Sequence, residues 1–316
     1  MNDTATLERP PSPPVDADWA PPAVADSDPV IVAPLSPRRQ LVRAVLVLAL
    51  ILSTTLLIQL VLISAPQHSA AQHRAFDSFR AELARGTAPI GPTDADGREL
   101  AMGASVAFVE IPSIGLHEVV GEGTTAGVLL NGPGHRRDTS LPGQIGTSIV
   151  YGRRAAYGGP FSRIGDLNEG DEIKVTTGQG RFNFRVVDVR RKGDPVPAAP
   201  ATGASRLTLV TAAGSPFFPN GVVRVDADLD GKAVVGPARL VGSSGLPAEE
   251  KLMAGDSRTL WALALWLQAL IVLTLGAVWA WHRWGQAQAW VVFLPPLMLV
   301  GLFASSEVAR LLPNLL

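Results

Sequence analysis

The sequence contains no cysteine in its 316 residues. This absence excludes disulfide bonds, cysteine-ligated zinc, iron–sulfur clusters and a thiol nucleophile. The five histidines form no HExxH motif or comparable ligand pair, so we expect no metal site and no cofactor. A formal net charge of −1 offers no basic face for nucleic acid, which we exclude as a partner. Apolar residues, by contrast, make up 47% of the chain and charged residues only 17%, a composition that favours membrane-spanning segments.

A long apolar run near the N-terminus predicts a first transmembrane helix over residues 38–64. It is long enough to cross the hydrocarbon core of a bilayer. Arginines at positions Arg38, Arg39 and Arg43 flank it, and the positive-inside rule then places the N-terminus in the cytoplasm. A cleaved signal peptide is the competing interpretation, but the run is too long and starts too far into the chain.

Two further apolar runs near the C-terminus predict transmembrane helices over residues 259–281 and 288–306. Tryptophans near the ends of the first run suit the headgroup region of a membrane, and basic Arg283 follows it. A hairpin of two spans with this basic turn inside leaves both the intervening domain and the C-terminus outside. Because Pro295 and Pro296 interrupt the last run, a re-entrant segment is the alternative.

The rest of the chain divides by composition. Residues 1–37 are rich in proline and predict a disordered cytoplasmic tail, with a docking tail as the alternative. Residues 65–105 predict a stalk helix followed by a linker, and residues 231–258 a second linker. Residues 106–230 hold many short β-branched runs between turn residues, which predicts a barrel or sandwich. The predicted strands are Val106–Ile111, Gly146–Gly152, Asp171–Thr177, Phe182–Val189, Leu207–Thr211 and Val222–Leu229, with short helices within 124–130 and 160–167.

Several motifs occur in order along this β-rich region. They read IPSIGL from Ile111, GPGH from Gly132 with a following LPG, IVYGRRAAYG from Ile149, GDEI from Gly170 and RLTLVTA from Arg206. Together they resemble the sortase family, and most of all its class E and actinobacterial types. The resemblance implies a mainly β fold, namely a closed eight-stranded β-barrel with short helices. It also implies a Gram-positive cell and an extracytoplasmic barrel at the cell surface, anchored here by transmembrane helices on both sides.

The resemblance further implies a Cys–His–Arg site, of which this chain has lost most. In sortases a thiolate attacks the carbonyl carbon of a sorting-signal peptide, a histidine transfers protons and an arginine stabilises the oxyanion. The histidine position falls on Arg153, which cannot shuttle protons, and the cysteine position falls on Ala212. The arginine position falls on Asn220, with Arg224 further along the same strand as a relic of that role. We therefore expect no catalytic residues and a sortase pseudoenzyme.

Five residues near the vacant positions are candidates for a ligand groove: Arg153, Arg154, Tyr157, Phe217 and Phe218. The paired guanidinium groups suit a carboxylate or phosphate, although a solvated or surface-paired role is the alternative. The two phenylalanines would form a recognition patch if exposed, but burial under their loop is the favoured interpretation. Tyr157 occupies a family motif position, and we expect it to be structural.

The leading hypothesis is a membrane-anchored protein that binds a peptide or cell-wall ligand, or assists an active sortase or a surface-protein partner. Besides these partners, the chain contacts the lipid membrane. The enzymatic alternative is a sortase-fold hydrolase or transpeptidase whose nucleophile is Ser215, with His135 as base. A third hypothesis assigns the function to the C-terminal spans, as a subunit of a membrane complex, with Glu307 and Arg310 as the residues to test.

Overall fold

The computed structural model describes residues 37–216 and 218–316. The tail predicted over residues 1–37 lies outside this range up to residue 36, and so does Phe217, one of the groove candidates. Residues 44–316 form one structural unit.

Eight strands close into a barrel in the order β1-β2-β3-β4-β7-β8-β6-β5. The prediction of a closed eight-stranded barrel is therefore confirmed. Neighbouring strands are antiparallel except for β2 with β3 and β4 with β7, which are parallel. The strands are β1 Ser105–Ile111, β2 Leu116–Glu122, β3 Gly134–His135, β4 Gly146–Tyr151, β5 Glu172–Thr177, β6 Gly180–Arg190, β7 Ser205–Ser215 and β8 Phe218–Leu229.

Alternation of apolar and polar residues along the strands builds the barrel core. In β6, Phe182, Phe184 and Val186 point inward and are buried, while the residues between them are exposed. Leu209 of β7 and Val225 of β8 complete the same cluster and are paired across the two strands. Each large apolar side chain buried in this way contributes about 1.5–3 kcal/mol.

Two strands and the extent of the short helices differ from the sequence prediction. Strand β2 was not predicted, because polar residues interrupt its apolar residues, and β3 is only two residues long. Helix α3 covers Ala126–Leu129, within the range predicted. The segment predicted over 160–167 holds a single 3₁₀ turn, Ile164–Asp166.

The first span and the stalk are one continuous helical segment, which corrects the prediction of two separate elements. Helix α1 (Pro37–Ile58) passes through a π-helical turn (Gln59–Ile63) into α2 (Ser64–Arg85). No glycine interrupts it. Pro66, near its middle, lies inside the continuous helix just after the π-helical turn, and both features are causes of helix bending. Helix α2 docks on the barrel: Nε2 of His68 lies 2.9 Å from Oε1 of Glu118.

The two C-terminal helices form a hairpin. Helix α4 (Leu260–Trp284) and helix α5 (Gln286–Leu311) are separated only by Gly285, whose positive φ of 102° allows the tight turn. Both prolines of the last span lie inside the continuous helix α5, so the re-entrant alternative is wrong. Helices α1, α4 and α5 meet in one apolar cluster, and the described chain has three helices long and apolar enough to cross a membrane.

The segment predicted as a free linker, 231–258, packs on the barrel instead. The N–H of Val234 donates to the carbonyl of Gly143 at 3.0 Å. Glu250 is fully buried and forms an ion pair with Arg137, the closest N···O distance being 2.5 Å. A local pattern cannot predict this packing, because Gly143 lies 91 residues from Val234 and Arg137 lies 113 residues from Glu250.

Candidate functional site

The vacant cysteine and histidine positions lie next to each other, at the carboxyl end of the parallel pairing of β4 with β7. Ala212 of β7 pairs with Val222 of β8 and is completely buried. The chain following β4 is held along β7: the N–H of Gly152 donates to the carbonyl of Val210 at 3.0 Å, and the Thr211 hydroxyl donates to the carbonyl of Gly152 at 2.8 Å. The structure thus brings the loop that begins at Gly152 and carries Arg153 together with Ala212, as the motifs predicted.

The C-terminal segment of the chain, residues 312–316, occupies this place. It leaves α5 and lies against Ala212, where the side chain of Leu315 joins a buried cluster with Tyr151, Val210 and Val222. The N–H of Arg154 donates to the main-chain oxygen of Leu315 at 3.0 Å. A methyl group and a leucine side chain therefore fill the region in which a sortase thiolate would act.

Asn314 anchors the same segment. Its side-chain amide donates to the carbonyl of Thr124 at 2.9 Å and to that of Lys251 at 3.0 Å, and its own N–H donates to the carbonyl of Ala254 at 2.8 Å. Thr124 belongs to the loop after β2, whereas Lys251 and Ala254 belong to segment 231–258. Asn314 is completely buried, so each of these bonds forms away from water.

Arg153 is buried to 1% exposure, so the solvated or surface-paired alternative is wrong for it. Its Nη1 donates to the main-chain oxygen of Leu316 at 3.1 Å, while its Nε and Nη2 have no hydrogen-bond partner among the described residues. Burial lowers the pKa of Arg153 to about 10, an effect that nearby Tyr157 partly opposes. The guanidinium carbon lies 5.5 Å from the centre of the Tyr157 ring, within range of a cation–π interaction.

The other groove candidates fall in different surroundings. Tyr157 is buried, has a left-handed backbone (φ 54°), and its hydroxyl accepts a hydrogen bond from Nε2 of Gln59 at 3.3 Å. Arg154 is partly exposed, and its Nη1 donates to the carbonyl of Ala212 at 3.3 Å. Phe218 is 83% exposed, so the expectation that it is buried is wrong. It lies at the tip of the β7–β8 hairpin.

The structure separates the two candidates for the third catalytic role. Asn220 is exposed at the irregularity that follows Ala213 in the β7–β8 pairing, and it lines an open cleft of about 530 Å³ together with Arg154 and Arg191. Arg224 pairs with Val210, so it lies on the face of the sheet that carries Ala212. Of the two candidates, Arg224 is therefore the one that shares a sheet face with Ala212.

Ser215 and His135 do not form a nucleophile–base pair. The Ser215 hydroxyl is exposed and donates to the carbonyl of Phe218 at 3.4 Å. Nδ1 of His135 lies 2.9 Å from Oε2 of Glu122, and its Nε2 lies 2.9 Å from the carbonyl of Ser140. Burial opposes protonation of His135, but the charge and hydrogen bond of Glu122 together with the Ser140 carbonyl raise its pKa overall. His135 is a structural residue in a buried polar cluster.

No local pattern marks the last residues of the chain as part of the site. Pro313 to Leu316 carry no motif and no ionisable side chain. The one available hint was that they follow the last span directly on the side predicted to hold the barrel. Among the described residues no cluster of histidine and acidic side chains could hold a metal ion.

Solved sortase structures are similar to part of this chain. A sortase D5 transpeptidase of Clostridium perfringens is 25% identical and covers 51% of this chain and 99% of its own, with a TM-score of 0.43. Sortase E1 of Streptomyces coelicolor, solved with a tripeptide in the active site, is 21% identical and covers 42% of this chain and 91% of its own, with a TM-score of 0.36.

The sequence comparisons coincide with the barrel. Residues 109–223 match the family model of the sortase domain. Sortase D of Bacillus subtilis (strain 168) is 31% identical over 88 residues, which make up 28% of this chain and 43% of that protein, so the chain spans less than half of that relative's length. Residues 109–223 are therefore a sortase domain, because they match the family model and carry the family motifs on a closed eight-stranded barrel.

Proposed function

We propose that this chain is a membrane-anchored, extracytoplasmic sortase-domain protein that does not catalyse transpeptidation. It binds a peptide or cell-wall ligand at the vacated sortase site, or assists an active sortase or another surface protein during surface-protein assembly. In this proposal the barrel is retained as a binding framework, and the chemistry of the family has been given up.

The observation that carries the proposal is the chemistry at Ala212. A methyl group cannot attack a carbonyl carbon, and the sequence has no cysteine elsewhere to replace the thiol. Ala212 is completely buried in an apolar cluster that includes Leu315, so its methyl group is closed to solvent in this structure. The neighbouring base position is also vacant, because Arg153 has a pKa of about 10 and stays protonated near neutral pH.

Two features support the location. Three helices are long and apolar enough to cross a membrane, and the basic residues Arg38 and Arg39 begin the first of them. The C-terminal segment contacts the barrel, so both lie on one side, as expected if the three helices cross in turn.

Catalysis is tested with the full chain in detergent micelles and a fluorogenic LPxTG-type sorting peptide, with and without an amine acceptor. An active sortase under identical conditions is the positive control. We expect neither cleavage nor transfer, and no effect of a thiol-blocking reagent. Turnover by this chain that survives the reagent would refute the non-catalytic proposal, and its loss in a Ser215→Ala variant would assign that turnover to the one hydroxyl candidate.

Orientation is tested by labelling single introduced cysteines in intact cells with a membrane-impermeant maleimide. Val235→Cys lies on the barrel side and is 79% exposed in the native chain, whereas Gln286→Cys lies at the turn between α4 and α5. We expect Val235→Cys to react in intact cells and Gln286→Cys to react only after permeabilisation. The reverse pattern would contradict the proposed orientation.

A further inference from the structure

The open cleft of about 530 Å³ beside the vacated site is lined by three basic side chains, those of Arg154, Arg191 and Lys192. Among the described residues, the one acidic side chain that lines it is Asp166, an exposed carboxylate whose Oδ2 lies 3.8 Å from Nε of Arg163. This surface, which we call the basic cleft, therefore carries positive charge, although the net charge of the whole chain is −1.

Two exposed cations reach into the basic cleft from the segment that follows β6. Nη2 of Arg191 lies 3.8 Å from the position that a Cβ at Gly165, in the loop after β4, would take. The side chain of Lys192 lies over Gly221 of β8, with its Cβ 3.6 Å from the corresponding position. Neither side chain forms a hydrogen bond or an ion pair among the described residues, so both charges are available to a ligand.

Arg154 supplies the third cation from the wall nearest to the vacated site. Its Nη1 donates to the carbonyl of Ala212 at 3.3 Å, which holds the guanidinium in place and leaves Nε and Nη2 without a partner in the described chain. Guanidinium groups pair well with phosphate oxygens, and an ammonium adds a point charge. A phosphate group offers more acceptor oxygens than a carboxylate, so it can engage all three cations at once.

The same end of the barrel lies next to the helices that are apolar enough to cross a membrane. In the loop after β4, the Tyr157 hydroxyl accepts from Nε2 of Gln59, directly after α1, and Tyr157 shares an apolar cluster with Ala309 of α5. Strand β7 is parallel to β4 and therefore also runs towards these helices. The hairpin tip that carries Phe218, which is 83% exposed, extends beyond Ala212 in this direction. An exposed aromatic ring beside several cations is typical of surfaces that bind anionic lipid.

We propose that the basic cleft binds the phosphate group of an anionic membrane lipid, while Phe218 enters the bilayer interface beside it. This inference goes beyond the proposed function and rests only on its membrane anchoring. The phosphate oxygens accept hydrogen bonds from Arg154 and Arg191 and pair with the ammonium of Lys192. A soluble phosphate ester has the same oxygens without acyl chains, so the experiments separate these two sources.

The basic cleft is tested with the full chain in an uncharged detergent, where native mass spectrometry measures the binding of added phosphatidylglycerol. The variant Arg191→Gln/Lys192→Gln removes two cations of the cleft. The matched control Arg181→Gln/Lys232→Gln removes two cations that are also exposed, at the opposite ends of β6 and β8. We expect the cleft variant to bind the lipid about 30-fold more weakly, because each cation contributes about fivefold, and the control to bind it within about twofold of the unsubstituted chain.

The source of the phosphate is tested by competition with glycerol 3-phosphate, which has the phosphate of the lipid but no acyl chains. We expect it to displace phosphatidylglycerol only in large molar excess, because it lacks the apolar contacts of the lipid. Competition at equal concentrations would assign the basic cleft to a soluble phosphate ligand and would overturn the lipid proposal.

Entry of the hairpin tip into the interface is measured with the fluorophore NBD on Phe218→Cys, which provides the only thiol of the chain. In proteoliposomes that contain phosphatidylglycerol, we expect this NBD to be quenched by lipids labelled with doxyl near the headgroup. The matched control is Val235→Cys, 79% exposed in the native chain, whose NBD should stay in water.

Equal quenching at both positions would overturn the proposal, and so would equal loss of lipid binding in the cleft variant and its control. If the cleft variant fails to fold, as judged by thermal unfolding, the comparison of the two NBD positions decides alone. None of these measurements involves turnover or a peptide ligand, so their failure would leave the test of catalysis unaffected.

Discussion

The contact between Leu315 and Ala212 can be measured with a thiol placed at the vacant nucleophile position. Because the native chain has no cysteine, Ala212→Cys introduces a single reporter at a fully buried site. Its reaction with a maleimide requires the C-terminal segment to leave. When opening and closing are fast relative to labelling, the labelling rate follows the population of the open form.

Truncation of the covering side chain, Leu315→Ala, should raise this population. Leu315 is completely buried, and removal of a buried leucine side chain costs about 2–5 kcal/mol. The segment can settle into the space, so we take the lower end, about 2–3 kcal/mol, which corresponds to labelling about 30- to 140-fold faster.

The matched control places the thiol in the barrel core, by Ala107→Cys, which is also completely buried but does not touch the segment. Leu315→Ala should leave the labelling of this control unchanged. Labelling at position 212 that stays within about twofold of the parent, against the expected tens of fold, would refute the covering role. Equal acceleration at both positions would show that the whole barrel has loosened and would refute it as well.

Three further predictions concern stability. Gly301→Leu should lower the thermal unfolding midpoint in detergent, because a side chain at position 301 would collide with Thr55 of α1. We expect the free energy of unfolding to fall by about 1–3 kcal/mol. An unchanged midpoint would contradict the packing of α1 on α5. Phe184→Ala should cost about 3–5 kcal/mol in denaturant unfolding, since this core ring has no exposure. Burial opposes the charged form of His135, but Glu122 raises the pKa of His135 above 6.5. The stabilisation that protonated His135 gives to the folded state is therefore complete below pH 6.5 and declines as the pH rises further. Thermal unfolding over pH 5–9 should show this decline, and Glu122→Gln should flatten it.

The strands of the barrel could largely be predicted because their signals are local. Strands β4 and β5 are β-branched runs bounded by glycine or acidic turn residues, and the structure places them within a residue of the predicted bounds. Strand β2 was missed because His117 and Glu118 break its apolar pattern. Glu118 faces His68 of α2, so its role depends on a partner fifty residues away.

The vacancy of the site could also be predicted, but its contents could not. Motif alignment identified Ala212 and Arg153, since each occupies a fixed place in a short pattern. The burial of Arg153 and the insertion of Leu315 depend on how α5 directs the chain back to the barrel. That path is set by helix packing, for example the hydrogen bond between Thr55 and Ser305 at 3.1 Å, and no local pattern encodes it.

The unbroken helical segment from Pro37 to Arg85 also determines which molecules can meet the site. In the proposed orientation this segment runs from the bilayer onto the side of the barrel. It therefore fixes the distance of the barrel from the membrane and restricts rotation of the barrel relative to it. Asn314 follows the end of α5 at Leu311 by only three residues, so the site opens close to the lipid headgroups. A partner anchored in the same membrane would therefore search for it in two dimensions rather than three, at a far higher effective concentration than a freely diffusing peptide.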